Sequence, residues 1–181
     1  LPECFERNAE GMLKNMAIHE LAIRASFYNV RVDTMATVEA DRAFSSCQTL
    51  RGPESGREFT AFDKLKFKIT TRSGQSASIA ADRCGGDDSV GIVTRNGIEQ
   101  ARFTMPDEEA VANIPYLEKL YPNAMPYVYM QDPDYCKLKE RIAKACVDGS
   151  DPRGVATIDI ALTALKLAEH LKRLLLEQLG K

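Results

Sequence analysis

Only two histidines occur among the 181 residues, and neither carries a recognisable nucleophile signature, so no Ser–His–Asp or Cys–His arrangement is readable. Excess charge is lacking too: 24 Lys and Arg stand against 26 Asp and Glu. A net charge of −2 supplies no field for nucleic acid, and no basic block with interleaved aromatics occurs, which excludes a nucleic-acid role. No run approaches 18 apolar residues, so no segment reads as a membrane span. The chain opens Leu1-Pro2-Glu3 without the charged-then-apolar pattern of a signal peptide. The expectation is an intracellular protein, cytoplasmic or organellar, with an N-terminal segment removed, or a sequence that starts mid-protein.

Paired cysteines are missing as well. Cys4, Cys47, Cys84, Cys136 and Cys146 are odd in number and form no Cys-x-x-Cys pair. Structural zinc needs closely spaced ligand pairs and a disulfide framework favours an even count, so free thiols in a reducing compartment are expected and no metal site. Neither the glycine fingerprint of a dinucleotide fold nor that of a P-loop is present. The one glycine cluster, Arg83-Cys84-Gly85-Gly86-Asp87-Asp88, sets two aspartates where a phosphate would sit. It reads as a loop, and no cofactor site is expected within these residues.

What is present is ordinary globular material: 44% apolar and 28% charged residues. A domain of this length buries roughly two thirds of its unfolded surface without staples. From Asn8 to Tyr28 the periodicity is helical, with Met12, Met16, His19 and Ile23 on one stripe, Leu13, Ala17, Leu21 and Ala25 widening the apolar arc, and Asn29 as the stop. Val30, Val32 and Met35 to Val38 are β-prone, and Leu50 to Gly56 reads as a loop. Leu65, Phe67 and Ile69 alternate with Lys64, Lys66 and Lys68, whose side chains are expected to face solvent. A turn at Arg72-Ser73-Gly74-Gln75 returns the chain through Ser76 to Ala81 as a hairpin. A second hairpin pairs Ser89–Thr94 with Ile98–Thr104 across Asn96-Gly97, a dipeptide that accepts positive φ.

Further on, a short helix is expected over Asp107–Asn113, then irregular packing among Tyr116, Tyr121, Tyr127 and Tyr129. Two helices close the chain, one capped by Asp132 with Pro133 at its first position, the other starting at Thr157 with Asp159 near its positive end. The pattern predicts a single α+β domain over 1–181, an open, mainly antiparallel sheet (about 30–105) with helices on one face, closed by helices at about 132–179.

His19 is the residue with chemical potential. Asn15 lies one turn earlier on the same helix face, and an imidazole oriented by a neighbour can exchange a proton near neutral pH. The competing reading is a packing histidine. Glu20 falls about 100° around the helix and is expected to face water. His170 reads as solvated surface without a role.

Three stretches, in order, resemble the second domain of the Gfo/Idh/MocA oxidoreductases. They are Gly11-Met12-Leu13-Lys14-Asn15-Met16-Ala17-Ile18-His19-Glu20-Leu21, the hairpin array from Phe62 to Met105, and Asp148-Gly149-Ser150-Asp151-Pro152 with the helix from Thr157 to Leu176. Together they cover roughly residues 9–176. The resemblance implies an α+β domain that shapes a substrate pocket and associates through its sheet. It also implies that His19 sits at the family's pocket histidine and Asn15 at its aspartate. The family's NAD- or NADP-binding Rossmann half is absent from these residues, and a nicotinamide must be held against its substrate for hydride transfer. The expected function is therefore a non-catalytic binding or structural subunit of a larger assembly, with a protein partner or a second copy on the open sheet face. The alternative is the substrate-binding and oligomerisation half of an NAD(P)-dependent oxidoreductase acting on a sugar or polyol-like alcohol, in which His19 and Asn15 act once a nucleotide domain is supplied.

Overall fold

The computed structural model describes residues 13–14, 17–82, 89–124, 126–152 and 154–181. In chain order the elements are α1 (Ile18–Tyr28), β1 (Met35–Ala40), β2 (Ser46–Arg51), β3 (Glu58–Thr71), β4 (Ser76–Asp82), β5 (Ser89–Arg95), β6 (Ile98–Met105), α2 (Glu108–Leu120), α3 (Pro126–Asp148) and α4 (Ile158–Gln178). Among the described residues, four helices and two antiparallel sheets make this an α+β fold with an open sheet, as the pattern predicts. Contact density separates two units, Leu1–Gly85 with Ala156–Lys181 and Gly86–Val155.

The first unit is built on β3. β4 pairs along one edge of it, from Lys64↔Asp82 to Thr70↔Ser76. β1 and β2 lie end to end along the other edge, β1 opposite Phe67–Thr71 and β2 opposite Glu58–Lys64. Ser46 opposes Lys64 while Cys47 opposes Phe62, so Asp63 is an extra residue in β3. A side-chain period of two means one extra residue reverses the faces. This is why Phe62 joins Leu65, Phe67 and Ile69 in the core despite its odd spacing from them. Leu13, α1 and α4 cover that face, with Leu13, Leu21, Leu167, Leu171 and Leu175 all fully buried. Burying each such side chain contributes about 1.5–3 kcal/mol.

Local chemistry sets the element ends. Asn29, at φ 49°, stops α1 in the left-handed conformation. The β-prone Val30 and Val32 are not strand. The Thr34 Oγ1 accepts from the Arg31 N–H at 2.8 Å, donates to the Asn29 carbonyl at 2.8 Å, and so holds a turn that delays β1 to Met35. Leu50 and Arg51, expected in a loop, belong to β2. The connection shrinks to 52–57, closed by Gly52 N–H to the Arg57 carbonyl and by Arg51 Nε to the Gly56 carbonyl. Thr157 caps α4 as expected, its Oγ1 accepting from the Ile160 N–H.

In the second unit, β5 and β6 form the expected hairpin, with Asn96 and Gly97 at φ 53° and 78°. Asp107 caps α2 by accepting from the Ala110 N–H at 2.7 Å. α2 then outruns the expected Asn113 and passes through Pro115, forgoing one intrahelical hydrogen bond there. The irregular tyrosine segment is thereby replaced by helix. α3 begins at Pro126 rather than after Asp132; a proline at the first helical position costs no hydrogen bond.

Candidate functional site

α1 presents Leu21 and Ala25 to the core, in line with the buried Leu13 and Ala17 ahead of it, while Ile23 of the expected apolar stripe is exposed. His19 lies on the opposite side, exposed, and its ring has no hydrogen bond or ion pair among the described residues. Asn15 lies outside the described residues. His170, on α4, is half-buried rather than solvated surface.

Glu20 does not face water as expected. It is half-buried, and its Oε2 is shielded from solvent without a hydrogen-bond partner. One turn on, the Arg24 Nε is in the same condition, with its guanidinium 5.6 Å from the centre of the Tyr28 ring. Positions 20, 24 and 28 form a stripe flanking the core stripe, so these side chains are partly covered while remaining polar. A shielded polar atom without a partner costs about 1–3 kcal/mol. Beside them, Ile23 and Phe27 are 47% and 72% exposed and continue the row begun by His19. No hydrogen bond joins the imidazole to the carboxylate among the described residues, so no proton relay runs between them. A carboxylate and a guanidinium at helical spacing ahead of Tyr28 are the signal that sequence reading passed over.

The uncovered face of the larger sheet carries Lys64, Lys66 and Lys68. All three are exposed, as expected, but two also have acidic partners. Lys64 pairs with Asp82 at 2.7 Å and Lys66 with Asp41 at 2.9 Å. The hydrogen bond from Lys66, aided by the Phe44 and Ala43 N–H groups, holds the Asp41 carboxyl below the usual carboxylate range. Across the helix layer, Lys14 does the same for Glu169.

In the second unit, the hairpin is less well covered. Val90, Ile92, Ile98, Phe103 and Met105 are all 40% or more exposed, and within that unit neither β5 nor β6 pairs with a further strand. Gly91, Phe103, Val93, Ala101 and Met105 share one face by register, Val90 and Ile92 the other. Open clefts lie on both units. One, of about 530 Å3, lies between α3 and the loop after it, lined by Arg141, Lys144, Ser150, Asp151 and Gly154. The other, of about 410 Å3, lies where the end of α4 meets the β1–β2 corner and includes the half-buried thiol of Cys47.

The described residues hold no cluster of three potential metal ligands, and no helix among them is long and apolar enough to cross a membrane. Comparison with protein-family models, curated proteins and solved structures finds no match for this chain.

Proposed function

We propose that the chain is a non-catalytic binding and structural module of a larger assembly, and that it joins a second copy of itself through the β5–β6 hairpin. The observation that carries this reading is the exposure of Val90, Ile92, Phe103 and Met105 on a two-stranded sheet. A lone two-stranded sheet is marginally stable in water and needs a further strand or a covering layer. Each face of the hairpin carries exposed apolar residues, Val90 and Ile92 on one and Phe103 and Met105 on the other, and exposed apolar surface is a usual mark of such a contact. Edge pairing between two copies is isologous and completes both hairpins in one step. The larger sheet's open face supports the reading less well, because Lys64 and Lys66 on it are compensated by Asp82 and Asp41.

Light scattering on the eluting 181-residue chain tests this. A dimer is expected at micromolar concentration, and Phe103→Glu and Ile92→Glu should each give a monomer with an unchanged far-ultraviolet spectrum. A wild-type chain that stays monomeric at hundreds of micromolar would remove the proposal.

A second reading is the substrate-binding half of an NAD(P)-dependent oxidoreductase for a sugar or polyol-like alcohol. It is favoured by α1, where exposed His19 adjoins the unpartnered Glu20 Oε2 and Arg24 Nε, polar atoms that a ligand or second layer would satisfy. Its test is turnover in a protein that includes a nucleotide-binding domain. There, His19→Ala should lower the rate about 10²-fold or more. Saturable micromolar NAD(P)H binding by the 181 residues alone would instead place a nucleotide site within them.

A further inference from the structure

The β5–β6 hairpin has two outer edges, and they are built differently. Arg95 and Ile98 flank the two-residue Asn96-Gly97 turn and form its closing hydrogen-bonded pair. Backbone groups alternate in direction along a strand, so Arg95, Val93, Gly91 and Ser89 turn their N–H and C=O groups toward β6. Thr94, Ile92 and Val90 turn theirs away, and all three residues are exposed. The outer row of β5 is therefore uncharged and β-branched throughout, the residue types that pack well on a pleated surface.

The matching row of β6 is Glu99, Arg102 and Thr104, also exposed. Arg102 donates twice to the Glu99 carboxylate, from Nε at 3.0 Å and from Nη2 at 2.8 Å. Val93 opposes Ala101 while Thr94 opposes Glu99, so Gln100 is an extra residue in β6 between the members of that pair. A bulge and charged side chains on an edge both discourage a further strand. The β5 edge carries neither.

The β5 row also fits itself. Two antiparallel copies related by a two-fold axis at Ile92 set Ile92 against Ile92 of the second copy, and Val90 against Thr94 of the second copy twice over. Each outward N–H and C=O of these three residues then meets a partner. On the other face Gly91 opposes Val93 of the second copy. The Phe103 ring lies beside Gly91, its Cδ2 4.0 Å from the position a Cβ would take there, and so flanks the same seam.

We infer, resting on the dimer proposed above, that β5 and not β6 joins the two copies, with Ile92 on the two-fold axis. The β6 edges then border a four-stranded sheet, and assembly stops at two copies.

Light scattering over a concentration series reads the dissociation constants of two double variants that differ only in the charge at position 90. Thr94→Lys with Val90→Glu sets opposite charges against each other in both symmetric pairs, whereas Thr94→Lys with Val90→Lys sets like charges there. The first should dimerise about tenfold or more tightly than the second. Val90→Pro and Thr104→Pro each remove an outward N–H that the hairpin does not use. Val90→Pro should give a monomer and Thr104→Pro a dimer, both with the wild-type far-ultraviolet spectrum. Double variants that do not differ would overturn the β5 pairing and its register. So would a dimer that survives Val90→Pro but not Thr104→Pro, or growth beyond two copies, while a contact between copies through the hairpin would still stand. A wild-type chain that stays monomeric at hundreds of micromolar would remove both.

Discussion

Gln178 closes the outer edge of β1 at Ala40. Its Oε1 accepts the Ala40 N–H at 2.8 Å while its Nε2 donates to the Val38 carbonyl at 2.9 Å. The side-chain amide thus takes the place of a neighbouring strand, using two backbone groups that would otherwise be open to pairing with another chain. Gln178→Ala removes both bonds and leaves a half-buried edge unsatisfied. We expect a loss of about 1–3 kcal/mol, read as a lower urea midpoint at unchanged slope. An unchanged midpoint would show that water replaces the amide at no cost.

Two phenylalanines separate core from surface. Phe67 is 2% exposed and Phe27 72%. Phe67→Ala should cost about 3–5 kcal/mol, as for cavity-forming truncations. Phe27→Ala should stay within about 0.5 kcal/mol in the isolated chain. Equal losses in the two variants would mean that Phe27 is covered in solution.

Asp41 gives the acid limb of stability a defined origin. Its carboxyl is lowered first by the Lys66 hydrogen bond, then by the Phe44 N–H. A folded-state value below the unfolded one means its stabilisation is complete above the unfolded value and is lost as pH falls through the folded one. Carbon-detected titration should find Asp41 below the ordinary carboxylate range, and Lys66→Met should move it upward. Asp41→Asn should flatten the acid side of the stability curve. A wild-type titration at the ordinary value would contradict the pairing.

Gly97 carries the hairpin turn at φ 78°, with nothing within 4 Å of an added Cβ. Gly97→Ala therefore meets no clash and only the intrinsic left-handed cost of roughly 1–2 kcal/mol. Faster amide exchange confined to β5 and β6 should report it, while β3 and β4 remain protected.

Glu20 offers a test of opposite sign. Removing a shielded, unpartnered carboxylate should stabilise the free chain, so Glu20→Ala is expected to raise the melting temperature. A lower melting temperature would show that water or another group already satisfies it.

Much of this molecule can be read from neighbours in the chain. Strict alternation at Leu65, Phe67 and Ile69, the Asn96-Gly97 turn, the Thr157 cap and the Asn29 stop are contests between adjacent residues, and these features stand where the pattern places them. The features that were not legible depend on partners far away. β2 is polar and shows little alternation, so only its pairing with β3 makes it a strand. The extra residue at Asp63 turns Phe62 inward, a consequence of register rather than composition. Glu20 was read as wet because its place on the helix says nothing of what packs beside it. Gln178 meets β1 across 138 positions of sequence, and Arg141 meets Gly154 only because the loop turns back. Short-range hydrogen bonding and periodicity choose elements. Burial, register and the gathering of charges require the chain to have closed on itself, and the two candidate surfaces arise at that level.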